Sequence, residues 1–157
     1  MVGGIDAADF WAVIGANPMR DADDVERALG EVSRRLDAVA PALLVGFQSR
    51  LCEFLHRIDR EEFAGVPVGL VGGLELPQTS DHFLYARCAC VLAGEVEYVG
   101  VASSGAGFER FVPPFRQGAE GLLYLAPEKF TGKTGADMDV EGFLPVDSMS
   151  NPSGWRG

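Results

Sequence analysis

The chain has 157 residues, enough for one domain with a real core, and its 47% hydrophobic content is ordinary for a soluble globular protein. Thirteen basic residues against 23 acidic give a net charge of −10, which repels phosphate backbones and excludes direct nucleic-acid binding. No stretch approaches the ~18 uninterrupted apolar residues of a membrane helix, and Asp6 and Asp9 stand where a signal peptide would carry Lys or Arg.

The first predicted helix runs from Asp6 to Ala16. Asp6 or Asp9 caps it, Phe10, Val13 and Ile14 form one face, and Asn17-Pro18 stops it. Asp21 to Val39 is a second helix, with Val25, Ala28, Leu29, Val32 and Leu36 at helical spacing. Asp21, Asp23, Asp24 and Glu26 crowd its first turn, where the helix dipole favours negative charge. Pro41 suits the start of a third helix. Leu43, Leu44, Phe47, Leu51, Phe54, Leu55 and Ile58 make it the strongest periodic stretch, with Gln48, Arg50, Glu53 and Arg57 on the opposite face.

Residues 63–79 are broken by Gly65, Pro67, Gly69, Gly72, Gly73 and Pro77, so Val66 to Leu76 reads as a short buried helix or a turn. Ser80 is the expected cap of a fourth helix, Asp81 to Ala93, with Asp81 in its first turn and Gly94 at its end. Glu95 to Val101 continues as helix or forms a short strand. Gly105, Gly107, Pro113 and Pro114 mark a loop. Gly118 to Phe130 reads as helix, weakened in its second half by Pro127. The expected architecture is a mostly α bundle of five to six helices over residues 1–130. A Gly-, Pro-, Asp- and Ser-rich tail over 131–157 wraps the surface or is partly disordered.

Few constellations carry chemistry. Ser80, Asp81 and His82 hold the residue types of a nucleophile triad, but adjacent side chains on a helix diverge by about 100°, so they do not line up as one. Gly132-Lys133-Thr134 lacks the glycine that a phosphate loop needs five positions earlier, where Pro127 stands. Gly69-Leu70-Val71-Gly72-Gly73 lacks the dinucleotide-binding spacing and reads as a packed turn. Cys88 and Cys90 are too close for a zinc half-site, and Cys52 is remote. With only His56 and His82 in the chain, neither a metal nor another cofactor is expected, and the three cysteines read as reduced core thiols of a cytoplasmic protein.

Arg87 stands out. It falls one turn after Phe83, beside an apolar face, where a guanidinium needs an acceptor or a route to water. The structural expectation is an ion pair with a carboxylate of another helix, and Glu53 is the candidate. The functional expectation is a ligand anion.

Phe10-Trp11, the helix through Phe47, Gly72-Gly73, Ser80-Asp81, and the run Phe83, Tyr85, Arg87 and Gly94 together resemble the bacterial, mainly actinobacterial family labelled domain of unknown function 4240. Ala119 to Gly135 is similar to the family's next helix, and Gly154-Trp155 to a late Gly-Trp element. His82 stands where members carry a second acid, Leu74 to Thr79 reads as an insertion, and Ala89 replaces a tryptophan. The resemblance implies a mostly helical fold and no particular reaction. Phe10, Trp11, Phe47, Glu53, Phe83, Gly94 and Trp155 are read as structural positions.

The function expected from these features is a non-catalytic interaction or regulatory module with a protein partner. The alternative is a small-molecule-binding protein or enzyme whose pocket at the start of the Asp81–Ala93 helix is rimmed by Ser80, Asp81, His82, Tyr85 and Arg87.

Overall fold

The computed structural model describes residues 5–70 and 72–156. Seven α-helices occur among them: α1 (Ala7–Ile14), α2 (Ala22–Leu36), α3 (Pro41–Arg57), α4 (Glu61–Ala64), α5 (Ser80–Ala93), α6 (Glu95–Ser104) and α7 (Leu122–Thr134). The chain is mostly α, as expected. The count exceeds six because α4 is a single turn that no periodicity announces; Glu95 to Val101 takes the helical of its two expected forms.

The helix starts follow local chemistry. Asp6 Oδ1 accepts from Ala8 N at 2.9 Å, and Asp21 Oδ1 accepts from Asp24 N at 2.8 Å. The cap of α5 is Thr79, not Ser80. Its Oγ1 accepts from His82 N at 3.0 Å, which makes Ser80 the first helical residue. Either hydroxyl could serve, and the register of the first turn selects the earlier one.

Asp24 is the most engaged acid of the cluster at the start of α2. Its carboxylate accepts from Arg20 N and Arg20 Nε, both at 2.9 Å, and from Arg27 Nη1 at 3.2 Å. The Arg20 hydrogen bonds hold its pKa at about 2, below the ordinary 3.8. A folded pKa below the unfolded one means that the contribution is complete above the unfolded value and is lost as pH falls through the folded value. Asp24→Asn is therefore expected to lower the melting temperature at neutral pH. In thermal melts across acid pH, the gap to the parent closes between about pH 4 and pH 2.

Of the two readings of Val66 to Leu76, the turn holds and the buried helix does not, and the turn joins two short strands. Val68–Gly69 (β1) and Glu75–Leu76 (β2) pair antiparallel, with Val68 opposite Leu76, around a turn containing Gly72 and Gly73. Leu70, Leu74 and Leu76 are exposed and only Val68 is buried. Val71 lies outside the described residues. Two-residue strands are too short to leave an alternating pattern, so the hairpin was invisible in sequence.

Helix α5 is the centre of the bundle. Every residue from Ala86 to Ala93 is buried, and the helix touches α1, α2, α3, α6 and α7. Ala86, Ala89, Cys88 and Cys90 are small enough to admit neighbours on all sides. Beside it, Phe10, Trp11, Phe47, Phe54 and Tyr98 interlock with ring centroids 4.8–5.4 Å apart.

Gly94 joins α5 to α6 at φ 118°. A Cβ there would stand 2.7 Å from the Gly15 carbonyl oxygen. Gly94→Ala combines a forbidden dihedral with a backbone clash and is expected to cost about 3 kcal/mol in urea denaturation. Gly100→Ala, within α6 and with nothing within 4 Å of the new carbon, is expected to stabilise by up to about 1 kcal/mol.

The carbonyl ends of the helices are met by side chains from distant elements. Arg35 Nη1 donates to Val13 O and Ile14 O of α1. Lys133 Nζ donates to Asp37 O and Val39 O beyond α2. Gln78 Nε2 donates to Phe63 O and Ala64 O of α4. Pro127 lies inside α7 and leaves Leu123 O without its helical donor, and Gln48 Nε2 of α3 supplies one at 3.0 Å. Each contact satisfies a backbone acceptor at or just beyond a helix end and ties that end to another part of the chain.

Candidate functional site

The densest of these junctions is the C-terminal end of α3. Three successive carbonyls there are taken by three elements. Tyr98 Oη of α6 donates to Phe54 O at 2.7 Å, Arg87 Nη1 of α5 to Leu55 O at 3.0 Å, and Asn151 Nδ2 to His56 O at 2.9 Å. Asn151 belongs to a strap, residues 135–156, that follows α7.

Asp59, two residues past α3, holds the strap. It is 0% exposed. Its Oδ1 accepts from Met149 N at 3.1 Å and Trp155 Nε1 at 2.9 Å, and its Oδ2 accepts from Ser150 N at 2.7 Å and Asn151 N at 3.0 Å. Three consecutive N–H groups thus converge on one carboxylate. Met149 turns them inward with φ 70°, the geometry of an anion-binding nest. Gly154 crosses so close to Asp59 that a Cβ would stand 2.4 Å from the Asp59 carbonyl oxygen.

Arg87 lies in the interior at 0% exposure. Its second terminal nitrogen donates to Val146 O of the strap at 2.8 Å, and its guanidinium carbon sits 4.4 Å from the Phe83 ring centroid. Burial lowers its pKa, and of the charges that oppose this, Asp59 acts most strongly. The expected pair with Glu53 does not form. Glu53 takes Arg50 Nη1 at 2.9 Å, and the acceptors of Arg87 are backbone carbonyls. Helical spacing set the side on which Arg87 lies but said nothing of what stands across from it.

The other candidate residues of the α5 start face different surroundings. Ser80 and Asp81 are exposed, and Ser80 O accepts from Ser148 Oγ at 3.0 Å. His82 Nε2 lies 2.6 Å from Val112 O, so its proton is on that nitrogen. Tyr85 is half-buried, and its hydrogen bond with Glu120 pushes its pKa up to about 12. These side chains and Arg87 therefore do not share one cleft.

No group of His, Cys, Asp and Glu suited to a metal ion occurs among the described residues. Burial pushes the thiols of Cys52 and Cys88 up to about 11 and 12 and raises that of Cys90 as well, so none is an activated nucleophile. No helix of the described residues is long and apolar enough to cross a membrane.

Two surface features lay outside the sequence reading. One is a polar cleft of about 530 Å³ on the outer side of the α3 end, lined by His56, Arg57, Arg60, Asn151 and Ser153. The run His56-Arg57-Ile58-Asp59-Arg60 was its only sequence signal. The other is an apolar groove of about 740 Å³ between α1 and α6, lined by Ala8, Trp11, Ala12, Pro18, Glu95 and Val96. A cleft of about 340 Å³ prolongs it and shares Asn17, Pro18, Ala93 and Glu97.

A family model described as protein of unknown function (DUF4240) matches residues 5–132. Neither the curated proteins nor the solved structures contain a significant match. The matched span includes all of α1 to α6 and most of α7, and it stops short of the strap.

Proposed function

We propose, from the premise that the chain belongs to the family of proteins of unknown function DUF4240, that it is a non-catalytic interaction module. Its α1/α6 groove receives a basic amphipathic helix of a partner protein. The observation that carries this reading is the groove itself, apolar and open on a chain of net charge −10. Trp11 lies in its wall, Val96 stands beside it at 84% exposure and Val99 follows one turn on at 50%. Apolar surface left open in this way marks interaction sites. Glu95 and Glu97 line the groove; Glu95 is exposed, and Glu97 is held by Arg110. An apolar floor with acidic flanks suits a helix that carries apolar anchors on one face and Lys or Arg at its edges.

The chemistry-bearing side chains support a module and not an enzyme. Arg87 is spent on carbonyls of its own chain, both histidines contact backbone carbonyls, and the thiols are buried. Three free buried thiols also fit a cytoplasmic setting.

A photoreactive amino acid at position 96 tests the reading. Cross-links should map to a Lys- or Arg-rich amphipathic helix in one protein. That helix, made synthetically, should bind the intact chain, and Ala12→Glu should weaken it about tenfold or more. Leu74→Asp on the hairpin should leave the affinity unchanged. Mapping to an acidic segment, or an affinity that Ala12→Glu does not alter, would defeat the proposal.

A further inference from the structure

The cleft at the end of α3 shares no lining residue with the groove and is argued independently. We infer that it binds a small oxyanion, the phosphate or carboxylate group of a low-molecular-weight ligand. Its volume, about 530 Å³, lies within the ordinary range for small-molecule sites.

Three cationic or protonatable side chains line it. Arg57 forms no ion pair among the described residues, and its guanidinium carbon lies 5.5 Å from the Phe54 ring centroid. That stacking holds a planar fork in place while its N–H groups stay uncommitted. Arg60 meets Glu62 through Nε at 2.7 Å, and its terminal amino groups have no partner among the described residues. His56 Nδ1 lies 2.8 Å from Pro145 O, which fixes the ring in the wall.

A helix C-terminus is a poor neighbour for an anion, because its carbonyls carry partial negative charge. Here that charge is already met. Phe54 O, Leu55 O and His56 O each accept a side-chain donor, one of them the buried Arg87 cation. The helix end therefore does not require Arg57 and Arg60 as well. Glu53, the carboxylate in the wall, is offset by Arg50 at 2.9 Å. The result is a locally positive cleft on an acidic protein. Asn151 and Ser153 of the strap close its other side, and guanidinium groups there match an oxyanion with paired hydrogen bonds.

The test is a nitrogen-15 NMR titration of the full chain with sodium phosphate and, separately, with sodium acetate, each against sodium chloride at matched ionic strength. Saturable shifts are expected at His56, Ser153, Gly154 and the Arg57 and Arg60 side chains, with Trp11 and Val96 unmoved. Preference for phosphate identifies a phosphate-bearing ligand, and preference for acetate a carboxylate. The double change Arg57→Gln, Arg60→Gln should weaken binding about tenfold or more. Ser153→Asp, which places a negative charge in the exposed wall and leaves both arginines in place, should abolish it and serves if the double variant fails to fold. No saturable shift with either salt, or binding that survives Ser153→Asp, overturns the inference.

Discussion

Asp59→Ala is expected to destabilise the protein by about 3–5 kcal/mol and to free the strap. The carboxylate is fully buried and accepts four N–H bonds, so its removal strands Met149 N, Ser150 N, Asn151 N and Trp155 Nε1 together. A buried donor without a partner costs about 1–3 kcal/mol. The strap can recover part of that by lifting into water, which keeps the total below the sum. Lifting also exposes the inner face of Trp155, whose ring packs edge-on against Phe83 with centroids 6.4 Å apart.

Asp59→Asn is not expected to rescue. Each carboxylate oxygen accepts two N–H groups, so either orientation of the amide sets its NH₂ against two donors. Both variants should show a lower urea midpoint and rapid limited proteolysis within 139–150, ahead of any cut in the helices. A loss of less than about 1 kcal/mol with unchanged protease resistance would show that the nest contributes little.

Arg87→Ala is the second large effect, again about 3–5 kcal/mol. The change removes the donor of Leu55 O and Val146 O, the cation over Phe83 and the charge that faces Asp59. It also leaves a void in the most buried helix of the molecule. Arg87→Lys should recover only part, because an ammonium at the end of a flexible stem cannot span two carbonyls as the guanidinium fork does. Glu53→Ala is the control. Its bond to Arg50 is a surface pair between residues one helical turn apart, so its loss should cost no more than about 0.5 kcal/mol. Equal costs for Arg87→Ala and Glu53→Ala would restore the ion pair expected from sequence. Because Arg87 and Asp59 both hold the strap, the double variant should lose less than the two single losses added together.

Much of the bundle was legible because its signals are local. The apolar spacing in α2, α3 and α5, the carboxylate cap Asp6, the acidic start of α2 and the break at Gly94 each depend on neighbours a few residues away. The elements missed are those that local signals cannot carry. A single turn such as α4 has no period. The hairpin at residues 68–76 has two residues per strand. The α5 cap fell between two adjacent hydroxyl residues that satisfy the same chemistry.

The candidate sites were less legible for a related reason. Trp155 is read from the sequence as a structural position, and the acceptor that holds it, Asp59, lies 96 positions away. Asn151 reaches back 95 positions to His56 O, and Arg87 reaches forward 59 to Val146 O. Their acceptors are mostly backbone oxygens, which every residue possesses, so no residue type betrays them. The helical class, the acidic charge, the core thiols and the prominence of Arg87 beside an apolar face all follow from residue order and composition. What Arg87 holds, how the strap is tied and where a groove and a cationic cleft stay open follow from packing between distant segments. Helix formation is written in contacts three and four residues apart, whereas the satisfaction of helix ends is settled wherever packing brings a donor.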